Sequence, residues 1–110
     1  MKKLLFAMLA LTICLPVQAL EQYEPSTCMD HADMATVVME YRQTGQLRSR
    51  LIEIIDDAYE KGTAIHSVNV EIVNQAYLKP VLVDPQAKQD AVHQYAVYWY
   101  NVCQDVQKNQ

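Results

Sequence analysis

The chain is poor in the residues that form phosphate-binding and nucleophilic loops. Its 110 residues include only two glycines and three cysteines. There is no glycine-rich phosphate loop, no HExxH, no CxxC and no serine or cysteine in a recognisable nucleophile motif. His31, His66 and His93 fall in three separate segments of the sequence. We therefore expect a protein that is not an enzyme and that binds no cofactor or metal.

Basic residues are also scarce. The chain has 9 lysines and arginines against 13 aspartates and glutamates, which gives a formal net charge of −4. Binding to nucleic acid or to an anionic membrane surface requires a basic patch. This balance of charge therefore argues against both kinds of partner.

The N-terminus has the pattern of a secretory signal peptide. Lys2 and Lys3 precede an apolar run from 4 to 15, and Val17 and Ala19 lie three and one residues before a predicted cleavage site. Cleavage after Ala19 leaves one predicted domain, 20–110, with seven basic and 13 acidic residues and a net charge of −6. A lipid anchor on Cys14 is the alternative, but the preceding residue is a bulky isoleucine. We expect a periplasmic or secreted protein without membrane insertion after cleavage, because no later segment could span a bilayer.

Only Cys28 and Cys103 remain in the predicted mature chain. Two cysteines in an exported protein are expected to pair in an oxidising compartment. The resulting disulfide would close a ring of about 76 residues, which contributes about 4.5 kcal/mol in the chain-entropy model. For a domain of this size, that is a large part of the free energy of unfolding.

The hydrophobic periodicity predicts an all-α fold, a small four-helix bundle-like domain closed by this disulfide. The predicted helices cover about 28–44, 46–61, 64–78 and 85–107. Gly45 and Gly62 are predicted to end the first two helices, whereas Asp84 and Pro85 suit the N-cap and first position of the fourth. The third segment also alternates like a strand over 68–72, but no second strand is available to pair with it.

The fourth helix carries a broad apolar arc, which predicts that it is the hub of the bundle. The arc contains Ala91, Val92, Tyr95, Ala96, Tyr98, Trp99, Val102, Cys103 and Val106, with Lys88 as its main polar intruder. We expect Tyr95, Tyr98 and Trp99 in the core, and Tyr100 either semi-exposed or part of a partner surface. Val81 and Val83, in an extended connector, are expected to cover the edge of the bundle.

The first helix has two apolar arcs. A narrow seam consists of Cys28, Ala32, Ala35 and Met39, and further round the helix lie Met34, Val37, Val38 and Tyr41. Arg42 lies on an arc that should be partly buried, so it needs a partner such as Glu71 or a carboxylate of helix two. Alternatively, Arg42 and Gln43 form a polar recognition spot in a groove. Tyr77 and Tyr100 complete the candidate residues for recognition or a buried ion pair.

Two further constellations could carry chemistry. Sulfur and imidazole groups of Cys28, Met29, His31 and Met34 could bind copper(I). Helical geometry, however, points Met29, His31 and Met34 in three directions, and methionine on a helix is more often core filler. A folded pair such as His31 with Asp57 is left open.

Several positions resemble a family of uncharacterised small exported α-helical proteins from proteobacteria and their prophages. The shared pattern consists of Cys28, Ala32, Ala35, Met39, Arg42, Gln43, Gly45, Ala76, Tyr77, Pro80 and Cys103. That family has no assigned activity, so the resemblance implies only export, helices and pairing of the first and last cysteines of the mature chain. A looser architectural similarity is to acid-activated periplasmic chaperones, whose lysine-rich composition this chain lacks.

These observations favour a non-catalytic module, monomeric or weakly dimeric, that binds another envelope protein as an inhibitor, an immunity factor or an accessory protein. The first alternative is an acid-responsive periplasmic holdase chaperone, because acidification would make a chain with three histidines and 13 carboxylates strongly positive. The second alternative is copper binding.

Overall fold

The computed structural model describes residues 28–109. Within this range the chain forms four α-helices and no strand: α1 (28–43), α2 (Arg48–Ala58), α3 (Ala64–Ala76) and α4 (Pro85–Lys108). The predicted all-α class is confirmed. The predicted signal peptide, 1–19, lies outside the described residues. None of the helices in the described range combines the length and the hydrophobicity needed to cross a bilayer.

The end of α1 is set by Gly45, as the sequence predicts. Gly45 has φ +83° and donates its N–H to the carbonyl of Arg42, while the N–H of Gln46 reaches the carbonyl of Tyr41. This pair of bonds is a Schellman motif, which favours glycine because the residue must adopt a left-handed conformation. The helix stops at residue 43, one residue before the predicted end.

The second helix is shorter than the predicted 46–61, because the chain turns earlier. Tyr59 is already extended, with φ −131° and ψ 139°, and its N–H bonds to the carbonyl of Ile55. Thr63 then caps α3 by accepting a hydrogen bond from the N–H of His66 at 3.3 Å. Gly62, with φ +90°, therefore lies inside the α2–α3 turn and does not end α2 directly.

The stretch that also alternates like a strand is helical, and α4 begins as predicted. α3 ends at Ala76, two residues early, because Leu78 and Lys79 donate their N–H groups to carbonyls only three residues back. Oδ2 of Asp84 accepts a hydrogen bond from the N–H of Ala87 at 2.9 Å, with Pro85 in the first turn of α4. That cap satisfies a backbone donor that has no partner within the helix.

The first helix buries more residues than the fourth, which the sequence predicts as the hub. The buried residues of α1 are Cys28, Ala32, Ala35, Val38, Met39 and Gln43, whereas α4 buries Tyr95, Trp99 and Cys103. One arc of α1 faces α2, and Ala32 on the small seam faces α4. α4 in turn reaches α1 through the disulfide and α3 through the Tyr95 hydroxyl, so the core is not centred on α4 alone.

Two points join α1 to α4. The disulfide between Cys28 and Cys103 is present, with the Cα atoms 5.4 Å apart, and confirms the predicted pairing. Nζ of Lys88 donates to the carbonyl of Gln43 at 2.5 Å. The same number of residues separates Cys28 from Gln43 as separates Lys88 from Cys103, so the helices run antiparallel for about 22 Å between the two ties. The cation also lies at the negative end of the α1 dipole.

The aromatic residues of α4 divide between core and surface. Tyr95 and Trp99 are buried with their rings edge to face, 6.4 Å apart, and the Tyr95 hydroxyl donates to the carbonyl of Ile72. Burial raises the pKa of Tyr95 to about 12. The prediction of a core position for Tyr98 is wrong: this residue is 50% exposed at the edge of the apolar arc, with its ring against Trp99.

Some buried polar side-chain atoms of this core have no hydrogen-bond partner among the described residues. Asn69 on α3 is buried, and neither atom of its amide has a hydrogen-bond partner among the described residues. A buried amide without partners costs about 1–3 kcal/mol.

The connector after α3 also differs from the prediction, because Val81 and Val83 are exposed and the half-buried residue between them is Leu82.

Candidate functional site

The candidate recognition residue Gln43 is buried and engaged in structural hydrogen bonds. Its Nε2 donates to the carbonyl of Pro80 at 2.9 Å and contacts Sδ of Met39 at 3.6 Å. Its Oε1 accepts from the N–H of Leu82 at 2.8 Å. The side chain therefore fastens the connector between α3 and α4 to the end of α1. Because both ends of the amide are occupied, Gln43 offers little to a partner.

Arg42 is half-buried and its partners differ from the predicted ion pair. Nε donates to the carbonyl of Lys79 at 2.9 Å, and the guanidinium lies 5.0 Å from the ring centroid of Tyr77. No carboxylate within residues 28–109, Glu71 included, pairs with it. The turn after α3 brings the carbonyl of Lys79 and the ring of Tyr77 to the end of α1, and the Arg42 guanidinium interacts with both.

Tyr77 completes this clasp, which we define as Arg42, Gln43, Tyr77 and the backbone of 79–82. The Tyr77 hydroxyl donates to the carbonyl of Gln46 at 2.7 Å, so it joins the end of α3 to the turn after α1. Burial raises the pKa of Tyr77, and the nearby Arg42 opposes this shift. Three of the four candidate recognition residues thus form one structural unit.

Tyr100, the fourth candidate, lies far from the clasp along α4. It is half-buried, and its hydroxyl accepts a hydrogen bond from Nε2 of Gln104 at 3.0 Å. With Met29 and Val97 it borders a shallow depression of about 230 Å³. The structure therefore does not bring Tyr100 together with the other three residues.

An apolar groove with a volume of about 550 Å³ lies between α1 and α2, and a second depression of about 500 Å³ lies between α1 and α4. From α1 the groove is lined by Asp30, Asp33, Met34, Val37 and Tyr41, and from α2 and beyond by Leu51, Ile54, Ile55, Ala58, Tyr59 and Ile65. Leu51 and Ile55 are buried and form its floor. Val37 and Ile54 are each 47% exposed, so each wall presents a large apolar side chain to solvent.

Among the described residues, no side-chain hydrogen bond or ion pair connects the two walls of the groove, α1 and α2. α2 is instead fastened to α3: Arg48 donates to Oδ1 of Asn74, and Nε2 of His66 lies 2.7 Å from Oδ1 of Asp56. The position of α2 is therefore determined by α3 and by the apolar floor of the groove.

An acid-sensitive contact lies at the α2–α3 turn. The hydrogen bond from His66 lowers the pKa of Asp56, and the nearby Lys61, 3.7 Å away, acts in the same direction. The His66 side chain is mostly buried. Protonation of Asp56 in acid would weaken this contact, and with it the attachment of α2 to α3.

The structure does not bring the other chemical candidates together. His31 lies beside the disulfide in a depression of about 270 Å³ with Trp99 and Cys103, and burial lowers its pKa. No contact joins His31 to Asp57. The copper(I) hypothesis loses its thiolate, because Cys28 is disulfide-bonded. Within the described range no cluster of histidine, cysteine or carboxylate side chains has the arrangement of a metal site.

Comparison with protein-family models, with curated proteins and with solved structures found no match to this chain. The resemblance to the exported family stays a prediction. Function must therefore be argued from the site itself.

The sequence carried a partial signal for the groove. Val37 and Tyr41 lie on the second apolar arc of α1, and in the second helix Ile54 and Ile55 follow Leu51 at helical spacing. An open groove is indicated when two helices carry more apolar surface than their contact with each other can bury. Hydrophobic periodicity does not distinguish such a surface from one that is covered by a neighbour.

Proposed function

We propose that the chain is an exported, non-catalytic module, periplasmic or secreted, that binds another protein in the α1–α2 groove. The observation that carries this proposal is the groove itself, an apolar depression of about 550 Å³ with buried Leu51 and Ile55 at its base and half-exposed Val37 and Ile54 on its two walls. Contiguous apolar surface of this kind on a small domain marks an interaction site more often than scattered apolar residues do.

The scaffold favours binding with little rearrangement. α1 contributes one wall of the groove, and the disulfide and Lys88 hold that helix against α4 at both ends. A wall that is already ordered loses little conformational entropy when a partner binds, so more of the contact energy is available for affinity. A small inhibitor, an immunity factor or an accessory protein of the cell envelope would each use such a surface.

Site-specific photo-crosslinking tests the proposal. A benzophenone amino acid is substituted for Ile54 in the groove or, as the matched control, for Val97 on α4, which is 44% exposed and lies outside the groove. Each purified chain is irradiated in envelope extract of the producing cells. We expect a defined crosslinked product from position 54 and none of that product from position 97.

Competition then decides whether the groove itself is the binding surface. An excess of the unmodified chain should suppress the crosslink, whereas the double variant Val37→Asp, Ile54→Asp should not, because each charge would be buried in an apolar contact. Both positions are half-exposed, so the fold should tolerate the change. Absence of a product from position 54, or equal competition by both chains, would refute the proposal.

A second candidate function, the acid-responsive holdase, is favoured by the Asp56–His66 contact. Loss of this contact in acid would remove one of the two polar links between α2 and α3 and so favour exposure of the apolar floor of the groove, while the disulfide would keep α1 and α4 joined. Light scattering of an aggregating client at about pH 3 tests this candidate. Protection at this pH that is absent at neutral pH would favour the holdase, and a dedicated binding module should give no protection.

A further inference from the structure

The lining of the groove indicates the chemistry of its occupant. Nine of the eleven lining residues are apolar or tyrosine. From Asp30 to Tyr41, the groove follows α1 for about 17 Å, which is the length of about three turns of helix. An occupant that fills the groove must therefore present a continuous apolar stripe of this length.

A helical segment fits this lining better than an extended one. An extended peptide would place unpaired N–H and C=O groups against apolar side chains, and such groups are costly when they are removed from water. A helix satisfies its backbone internally and packs its side chains between those of two neighbouring helices. Apolar residues at positions i, i+4, i+7 and i+11 would face the floor formed by Leu51 and Ile55.

The charge of the groove specifies the flanks of this helix. Its only charged lining residues are Asp30 and Asp33, both exposed. Neither forms an ion pair with any residue between 28 and 109. Both carboxylates lie near the start of α1, so they place negative charge at one end of the groove. Basic residues beside the apolar stripe of a bound helix would complement this charge.

We propose that the α1–α2 groove takes a cationic amphipathic helix of about three turns, with lysine or arginine beside its apolar stripe. This inference rests on the proposed function and adds to it the chemistry of the partner. The apolar stripe supplies affinity, and Asp30 and Asp33 select the sign of the charge beside it.

Two synthetic peptides of about 14 residues test the proposal by fluorescence anisotropy. They share leucines at positions i, i+4, i+7 and i+11, and they carry either lysines or glutamates beside this stripe. We expect the lysine peptide to bind the full chain more tightly than the glutamate peptide, with an affinity that falls as salt is raised. Equal binding of the two peptides would overturn the inference.

Charge variants test the role of the two carboxylates. Asp30→Asn with Asp33→Asn should weaken binding of the lysine peptide about fivefold to tenfold at low salt. The matched control is Asp90→Asn with Glu71→Gln, which removes two exposed carboxylates that accept hydrogen bonds from glutamines of their own helices. The control should bind the peptide as the unmodified chain does.

The outcomes separate this inference from the proposed function. Loss of binding in Val37→Asp, Ile54→Asp but not in the Asp30, Asp33 variant would leave the groove as the site and overturn the charge selection. Failure of both peptides to bind would overturn the cationic helix, while the crosslink from position 54 is judged separately. Sedimentation that shows a dimer which Ile54→Asp dissociates would identify the occupant as a second copy and also overturn it.

Discussion

The two sides of α1 differ in how they are joined to the neighbouring helices. Toward α4, the disulfide ties one end and the Lys88 contact with Gln43 ties the other, and depressions of about 500 and 230 Å³ lie along this side. Toward α2, no polar side-chain link within the described residues bridges the two helices, and a groove of about 550 Å³ remains. We call the side toward α4, which directional ties hold at both ends, the tied side, and the side toward α2, which apolar contact holds, the open side.

This difference has a physical cause. Covalent and charge-assisted bonds define the register of α1 against α4. Apolar contact has no direction of its own, and Val37 and Ile54 on the side toward α2 remain half-exposed. The tied side therefore provides stability, and the open side is available for binding.

The largest expected effect concerns the covalent tie on the tied side, between α1 and α4. Reduction of the Cys28–Cys103 bond should lower the free energy of unfolding by about 4.5 kcal/mol, because the unfolded chain is then no longer constrained by the ring that this bond closes. Urea unfolding of the oxidised chain and of the reduced, alkylated chain measures this difference. Equal midpoints for the two forms would contradict the assignment of stability to this tie.

The next effect concerns the clasp at the other end of α1. Gln43→Ala should lower the free energy of unfolding by about 2 kcal/mol, because the N–H of Leu82 and the carbonyl of Pro80 lose their partner. Gln46→Ala, at an exposed glutamine three residues further along the chain, is the control and should change stability by less than about 0.5 kcal/mol. Similar losses in the two variants would show that the clasp adds nothing.

A pH-dependent effect is expected where α2 is fastened to α3. The hydrogen bond from His66 lowers the folded-state pKa of Asp56 below its usual value of 3.8. Its stabilisation is therefore fully present at neutral pH and is lost as the pH falls through the folded-state pKa. Asp56→Asn should be less stable than the unmodified chain at neutral pH, and this difference should shrink below about pH 4.

Thermal unfolding from neutral pH to about pH 2 measures this dependence. Asp57→Asn, which alters the adjacent exposed carboxylate, is the control. A stability difference for Asp56→Asn that stays constant over the whole pH range would show that the contact with His66 has no role.

The smallest effect is expected on the open side, and a matched pair of neighbouring valines sharpens the comparison. Val37→Thr in the groove should change the free energy of unfolding by less than about 0.5 kcal/mol, since the new hydroxyl can reach water. Val38→Thr, one residue further along the chain, should cost about 1–2 kcal/mol, because that side chain is fully buried. Chemical denaturation of both variants measures the contrast, and equal losses would mean that the groove is closed in solution.

Much of the fold could be predicted from local patterns. The cap formed by Asp84, the turn at Gly45 and the helical period of α3 each depend on neighbouring residues, and each is present. The end of α2 was missed, since the turn that stops it depends on Thr63 as the cap of the next helix. Tyr98 was misplaced because the apolar arc of α4 is wider than the contact it makes.

The candidate site was less predictable. Arg42 and Gln43 were identified as polar residues that need partners, and the partners proved to be backbone groups of the connector and the ring of Tyr77. Those groups are distant in sequence and carry no pattern of their own. The surplus of apolar residues on the first two helices is a partial signal for the groove, but no local pattern reports whether an apolar residue such as Val37 is covered.

By itself, the sequence determined that the described chain is helical and that its first and last cysteines pair. The helical period and the capping residues act through neighbouring residues, and two cysteines allow only one pairing. Neither feature requires knowledge of how the helices pack. Only the tertiary structure decided that α1 buries more residues than α4, that Gln43 holds the connector and that the side toward α2 stays open. Those features depend on which surfaces approach one another, and long-range contact of this kind is set by side-chain size and by ties between distant residues.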